Sequence, residues 1–588
     1  MGTACCAVEA RRQVRRRGRV LWGLSLCALW LAFFDSRAVW AASDLLEATM
    51  GSRTAPPSRR ASETTPAVVL LALGDSLTHG TMDATNNALN TVQAYLQRVA
   101  EALGQVLSLT FTQPFFSLNE ERLRPFHVPS NLGVDGADAF SLEGIEYYKR
   151  AGVDESFVTE AYLCDKLLPP FLKDKYDKVL YPISLLARQA VSQLDAAIWH
   201  LQRLAANGGQ AVVVFWVGNN DASTAALGSG GQNPSYLPMP FELVEPELTP
   251  ALRLLLRVAQ QQGALSFAPY TMAAIERHLT ALQDFVNQYD HLLARLETEV
   301  QLAAGQMELL LLTLPYYSAV GYLFDSDDLE FYLQKLNPAY TVPSTFKRVA
   351  PPGGPITDPL AGDRVSLLTF GLMYALLSSG YTVDYVNRAL EIDGQQRDDL
   401  VLSEDEQGVI RARIDGFNAA IGAAAAARGP HVHRVDIGQY LNDVLTGATP
   451  IVIDGRTFSR KWIRGSSFTF DGVHPGYTGQ AFIANFVLAR LNEALGLAAP
   501  LYDLSAILAS DPYVDRDGDG WAPGPVYTAS GLTELLFLFK DPHDGDATVQ
   551  PVLPRDVWQR ISQVLLEEIL GISSVQQAAE RLGVGSAR

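Results

Sequence analysis

From residue 68 onward, short apolar runs alternate with longer amphipathic stretches, and that alternation leaves few folds open to the chain. The runs are Val68–Leu73, Val106–Phe111, Ala211–Val217, Met307–Leu314 and the more polar His431–Ile437. About six near-continuous β-branched or Leu residues suit a strand buried on both faces, as in a parallel sheet. Helix candidates lie between and after them, at about 90–103, 185–206, 272–303, 404–427 and 478–495. Ser403-Glu404-Asp405-Glu406 gives the fourth a capping box. Ile483, Val487, Leu491 and Leu495 give the last an apolar face, and Gly496 stops it. Strands alternating with helices predict an α/β domain with a central parallel sheet between two helical layers.

Two segments, about 222–270 and 318–402, are too long to be plain connections. They read as large, mostly helical insertions, either lids over a pocket or extra packing on the sheet edge. The second holds Pro351-Pro352-Gly353-Gly354-Pro355 and a helix candidate at about 364–379 that is apolar on most sides. The domain is expected over 67–500. Residues 501–588 form a separate C-terminal region with an Asp/Gly-rich motif and a final helix candidate at about 555–582.

The N-terminus carries a different signal. Seven Arg within residues 1–41 precede or flank the uncharged apolar run Val20–Phe34, and Val39 and Ala41 stand at the −3 and −1 positions of a cleavage site. Fifteen apolar residues fall short of the roughly 20 that a spanning helix needs, so a cleaved signal peptide is expected rather than an anchor. Arg11-Arg12 supports twin-arginine export only weakly, and Leu26 before Cys27 argues against a lipoprotein. Residues 42–66, rich in Ser, Thr, Pro, Ala and Arg, read as a flexible linker. The destination is the periplasm, the cell surface or the medium. Cys5, Cys6 and Cys27 would leave with the signal, so Cys164 remains alone as a small buried side chain without a disulfide. The net charge is −18, with no long basic stripe, which argues against nucleic acid as a partner.

The chemistry gathers in four short blocks. Leu73-Gly74-Asp75-Ser76-Leu77 follows the first strand, where open α/β sheets place their sites. Asp471-Gly472-Val473-His474-Pro475 precedes the last amphipathic helix. Three residues of separation let one loop bring Asp471 to one ring nitrogen of His474 while the other takes the Ser76 proton. Asn131-Leu132-Gly133-Val134-Asp135-Gly136-Ala137 is a Gly-containing turn, and Gly218-Asn219-Asn220-Asp221 ends the most apolar strand. A Gly N–H and an Asn amide can both donate to a developing oxyanion.

In this order, each beside its expected element, the four blocks resemble those of the GDSL lipase/esterase family, the SGNH hydrolases, over about residues 68–496. The resemblance implies a flavodoxin-like three-layer α/β/α fold and a secreted carboxylic ester hydrolase needing no catalytic cofactor. It implies Ser76 as nucleophile, His474 as general base and Asp471 as its orienting acid. The oxyanion donors would be the Ser76 and Gly136 N–H groups and the Asn220 amide, with Asp75 structural. Met307–Leu314 with Pro315 resembles the family's strand and Pro-containing turn after the third block. The separation of 254 positions from Asn220 to His474 departs from a minimal member and leaves the pocket shape open. Lipid or other acyl esters are the expected substrates. Deacetylation of glycans and acyl transfer to another alcohol use the same residues. The rival from another class is a calcium-dependent surface-binding protein on an inactive hydrolase scaffold.

Other candidates are weaker. Asp515, Asp517 and Asp519 alternate in Asp515-Arg516-Asp517-Gly518-Asp519-Gly520-Trp521 like oxygen ligands of a calcium loop, but Val526 stands where a closing Glu would. Asp541, Asp544 and Asp546 could complete a structural calcium site. His431 and His433 share a strand face without an evident third metal ligand. His79 is expected near the pocket mouth, and Trp216 in the core.

Overall fold

The computed structural model describes residues 68–145, 162–228, 270–300, 302, 305–528 and 532–541, with isolated positions 243, 246, 250, 253, 557, 560, 563 and 564. The expected signal peptide and linker, most of 222–270, Asp544, Asp546 and all but four residues of 555–582 lie outside them. Contacts divide the chain into units Met1–Thr65 and Pro66–Arg588, and the second is described below.

Five strands make the central sheet: β1 (Val68–Gly74), β2 (Leu109–Thr110), β3 (Gln210–Trp216), β4 (Met307–Leu312) and β5 (Val432–Val435). Their order is β5-β4-β3-β1-β2 and every pairing is parallel, the 2-1-3-4-5 arrangement of a doubly wound sheet. β1 and β3 run in register from Val68 beside Gln210 to Gly74 beside Trp216. Leu70–Leu73 and Val213–Trp216 are wholly buried, as near-continuous apolar strands require.

The helices that matter to the site are α1 (Ser76–His79), α2 (Tyr95–Leu103), α3 (Gln193–Ala206), α4 (Asn220–Leu227), α5 (Leu282–Thr298), α6 (Ser326–Leu336), α7 (Leu367–Ser378), α8 (Glu404–Arg428), α9 (Ile437–Thr446) and α10 (Tyr477–Leu495). From β1 to β2 the chain steps toward one edge, and from β2 through β5 it steps the other way. Right-handed crossovers therefore send the connecting helices to opposite faces. Accordingly α10 packs on α2 and α9, while α5 packs on α3 and α8.

The short apolar runs become the sheet, but boundaries shift where side chains intervene. Val106 is exposed, and β2 shrinks to two residues. The pairing beside the end of β1 passes to 130–134, where Leu132 N–H donates to Ala72 O (2.9 Å) and Val134 N–H to Gly74 O (3.1 Å). The helix expected over 185–206 begins at the Ser192/Asp195 capping box. The helix expected over 272–303 breaks at Thr280, whose hydroxyl and N–H reach Asp221. The capping box at Ser403 starts α8 as expected.

The segment 318–402 is not mostly helical. Besides α6 and α7 it folds a three-stranded antiparallel sheet (Leu323–Phe324, Arg364–Ser366, Val401–Leu402) and a hairpin at 391–396. Buried Phe324, Val365, Val401 and Leu402 favour strand there. Arg460, 1% exposed, pins the segment through buried Asp325 and Asp328 at 3.0 Å each. The boundary expected near residue 500 does not separate two cores. Trp521 and Phe539 stack at 6.0 Å and join Tyr332, Phe370 and Trp462 in one aromatic cluster. Among the described residues no helix is long and apolar enough to cross a membrane.

Candidate active site

All four blocks arrive at the carboxyl ends of the strands, around the β1/β3 position where strand order reverses. This is where such sheets hold ligands. β1 ends at Gly74, where an added Cβ would fall 2.4 Å from the Trp216 carbonyl, so only Gly lets the neighbouring strand approach. Asp75 caps α1, accepting the Leu77 N–H at 2.9 Å, and Ser76 is the first residue of that helix. The other Asp75 oxygen accepts the Asn219 amide at 2.9 Å. Burial pushes the Asp75 carboxyl up to about 6, although both donors favour its charge.

Ser76 Oγ lies 2.8 Å from His474 Nε2, and His474 Nδ1 lies 2.7 Å from Asp471 Oδ2. A carboxylate can only accept, so Nδ1 carries the proton and Nε2 is left to receive that of the Ser76 hydroxyl. The tight turn from Asp471 to His474 depends on Gly472 at φ +69°, where a Cβ would lie 2.6 Å from Tyr322 N. Burial disfavours the His474 cation, but the Asp471 charge and hydrogen bond, aided by Asp135 and Asp75, outweigh it and raise the pKa above 6.5. Asp471 is held below its ordinary value because His474 and the donors around it prevail over burial.

Gly136 and Asn220 line the same cavity as Ser76 and His474. The Asn220 amide donates to Ala137 O at 3.1 Å, which orients it, and it carries a second N–H. Asn219 is held by Asp75 and by the Tyr317 hydroxyl, which donates to its carbonyl at 2.8 Å. The cavity encloses about 430 Å³ and its walls are mostly apolar. Tyr322, Leu367 and Leu368 from the 318–402 segment form part of the wall, with Val444 of α9 and Phe482 of α10. That segment thus forms part of the cavity wall. A smaller polar compartment of about 220 Å³ adjoins it and shares Asp135 and Lys175.

Asp135 has no role assigned from its spacing, yet it stands at the junction. Its carboxylate accepts the Thr81 hydroxyl and the Asn86 amide, both at 2.7 Å. Burial opposes its charge, but Lys175, His79 and Thr81 keep the pKa below the usual carboxylate value. The acid sits inside the second block, and its position immediately before Gly136 is the only signal that marks it.

The remaining candidates fall into place. His79 is buried rather than at the pocket mouth, with Nδ1 2.8 Å from Gly133 O, because the α1 turn carries it inward against Phe116. Trp216 is wholly buried, donates to Thr313 O, and is among the residues lining the cavity. His431 and His433 both bond Glu308, at 2.8 and 2.7 Å. Burial pushes the Cys164 thiol up to about 11, which suits an inert core residue.

Two carboxylate groups could suit a cation. Asp515, Asp517 and Asp519 bring ligand atoms within 4.8 Å of one another, as do Asp325, Asp327 and Asp328. The second set is already neutralised by Arg460, Lys461 and Arg464. In the first, Asp515 accepts the Gly518 and Gly520 N–H groups, and burial followed by Asp517 and Asp515 pushes Asp519 up to about 6. Asp541 is buried outside this group, and Val526 is fully exposed. Searches against protein-family models, curated proteins and solved structures returned no match for this chain.

Proposed function

We propose that the chain is a serine carboxylic-ester hydrolase of the GDSL/SGNH type, acting on esters with an apolar acyl group. The observation that carries this reading is the unbroken Ser76–His474–Asp471 hydrogen-bonded chain opening into an apolar cavity of about 430 Å³. Ser76 Oγ attacks the ester carbonyl as its proton passes to His474 Nε2. Asp471 stabilises the imidazolium and holds its orientation. The Ser76 and Gly136 N–H groups and the Asn220 amide take the oxyanion, each donor being worth about 3–4 kcal/mol in the transition state. The alcohol leaves with the His474 proton, and water repeats the sequence to free the acid. These steps call on no metal or organic cofactor.

The apolar walls favour acyl esters over acetylated glycans, and the intact hydrogen-bonded chain favours turnover over a retired binding scaffold. Export, supported by residues 1–41, would put the reaction outside the cytoplasm. Calcium at Asp515, Asp517 and Asp519 would be structural, supported by three hard oxygen donors held close together, with burial raising the carboxyl pKa of Asp515 and Asp519.

The test is hydrolysis of p-nitrophenyl acetate, butyrate, octanoate and palmitate by the protein and by Ser76→Ala and His474→Ala. Both variants are expected to lose nearly all turnover while keeping the melting temperature, and octanoate should exceed acetate in kcat/KM. Turnover that survives Ser76→Ala sinks the proposal.

A further inference from the structure

Asp83 lies wholly buried behind Asp471 and belongs to none of the four blocks. Asp83 and Ala84 take φ of +53° and +55°, a left-handed pair that L-residues other than Gly seldom adopt. The pair forms the centre of a tight turn that Met82 and Thr85 close with mutual backbone hydrogen bonds at 3.1 and 3.0 Å. It aims the Ala84 N–H at Asp471 Oδ2, at 2.8 Å, the same oxygen that holds His474 Nδ1.

The Asp83 side chain and backbone secure that turn on two sides. Toward the His474 loop, Oδ1 accepts the Phe470 N–H at 3.0 Å, and the Asp83 N–H donates to Thr469 Oγ1 at 3.2 Å. Thr469 in turn donates to Asp471 Oδ1 at 2.9 Å. Toward the C-terminal stretch, Oδ2 accepts the hydroxyls of Tyr513 and Tyr527, and the Asp83 carbonyl accepts the Thr533 hydroxyl at 2.7 Å. One buried residue thus ties both neighbours on the amino side of Asp471 to residues 513, 527 and 533.

We infer that Asp83 is a positioning residue, which holds the Ala84 N–H against Asp471 and makes Tyr513, Tyr527 and Thr533 a working part of the Ser76–His474–Asp471 site. The inference rests on the hydrolase reading above. The charged and titratable groups facing Asp83 are Asp471, Tyr477, Tyr513, Tyr527 and Lys540. Burial first, and then the Asp471 charge, push its carboxyl up to about 7, so a neutral amide of the same shape is a close substitute. In an Asn the carbonyl can take the Phe470 N–H while the amide donates to the tyrosine hydroxyls.

The experiment compares Asp83→Ala, Asp83→Asn and Tyr513→Phe with the wild-type protein at 20 °C and pH 7.5. It reads kcat and KM on p-nitrophenyl butyrate and the His474 titration by nitrogen-15 NMR of histidine-labelled protein. A loosened Asp471 shifts the imidazole by a fraction of an ångström, and misplacement near 1 Å costs about 100-fold. Asp83→Ala is therefore expected to lose about 30-fold or more in kcat with KM within about twofold, and its His474 pKa to fall toward 6.5. Asp83→Asn should restore kcat to within about threefold of wild type, and Tyr513→Phe should fall between. A folded Asp83→Ala with wild-type kcat and an unmoved His474 titration overturns the inference, as does an Asn variant no better than Ala. Should Asp83→Ala fail to fold, Tyr513→Phe decides alone, and wild-type kcat and His474 titration in it overturn the inference. If the wild type shows no Ser76-dependent turnover, the hydrolase reading is the one that fails, and the titration still decides the positioning of Asp471.

Discussion

Five donors converge on Asp471. The His474 N–H, the Val473 N–H and the Thr469 hydroxyl reach Oδ1, and His474 Nδ1 and the Ala84 N–H reach Oδ2. An acceptor so surrounded keeps its charge and direction, which fixes which ring nitrogen of His474 is free. Asp471→Asn should leave the fold intact and lower kcat by about 10³- to 10⁴-fold, because an amide no longer enforces that tautomer. A kcat within about tenfold of wild type would show that Asp471 is not the orienting acid. His474 must be neutral to act as a base, and its pKa is raised, so kcat/KM should fall with decreasing pH through a value above 6.5. A pH–rate profile with its acid limb centred below 6.5 would contradict this. The residues of the four blocks could be read from sequence because each block is local and has a chemical logic of its own. Asp83 and Asp135 could not, since their partners lie 49 to 450 residues away and neither spacing nor periodicity records such pairings.

At the level of elements, the strands were plain because burial on both faces forces continuous apolar runs. Their ends were not, because side-chain bonds set them. Thr280 ends one helix early to reach Asp221, and the 130–134 segment completes an edge that β2 leaves short. The small sheet in 318–402 left little trace because each strand has only two or three residues. That segment's place as a cavity wall depends on Arg460, which sits with Asp325 and Asp328 out of contact with water. Arg460→Met removes the buried partner that both carboxylates share, leaving them to Lys461 and Arg464, and should cost up to about 3–5 kcal/mol. Urea unfolding would read this directly, and a loss under about 1 kcal/mol would mean that Lys461 and Arg464 suffice.

For the whole molecule, the net charge of −18 combines with carboxyl groups that burial has pushed upward, Asp75 to about 6 and Asp83 to about 7. Between their unfolded values near 4 and these folded values, the native state binds more protons than the unfolded chain. Stability should therefore decline as pH rises from about 4 to 7, and the melting temperature should be higher at pH 5 than at pH 8. Asp83→Asn should flatten the part of that slope nearest pH 7. His200 and His278, which burial holds down to about 4, pull the other way, so an Asp83→Asn slope identical to wild type is the result that would refute the Asp83 assignment. Calcium should raise the melting temperature and a chelator lower it, with kcat per folded molecule little changed, and melting curves that coincide in the two conditions would remove calcium from the account.

Ser76 and His474 meet across 398 residues of chain, and Asp83 meets Thr533 across 450. A ribosome therefore makes the proposed nucleophile long before the proposed base, and the base before Tyr513, Tyr527 and Thr533. On the hydrolase proposal, a nascent chain shorter than 474 residues holds a serine without its base. If the proposed triad is the reactive site, a copy that ends before His474 is expected to leave esters untouched.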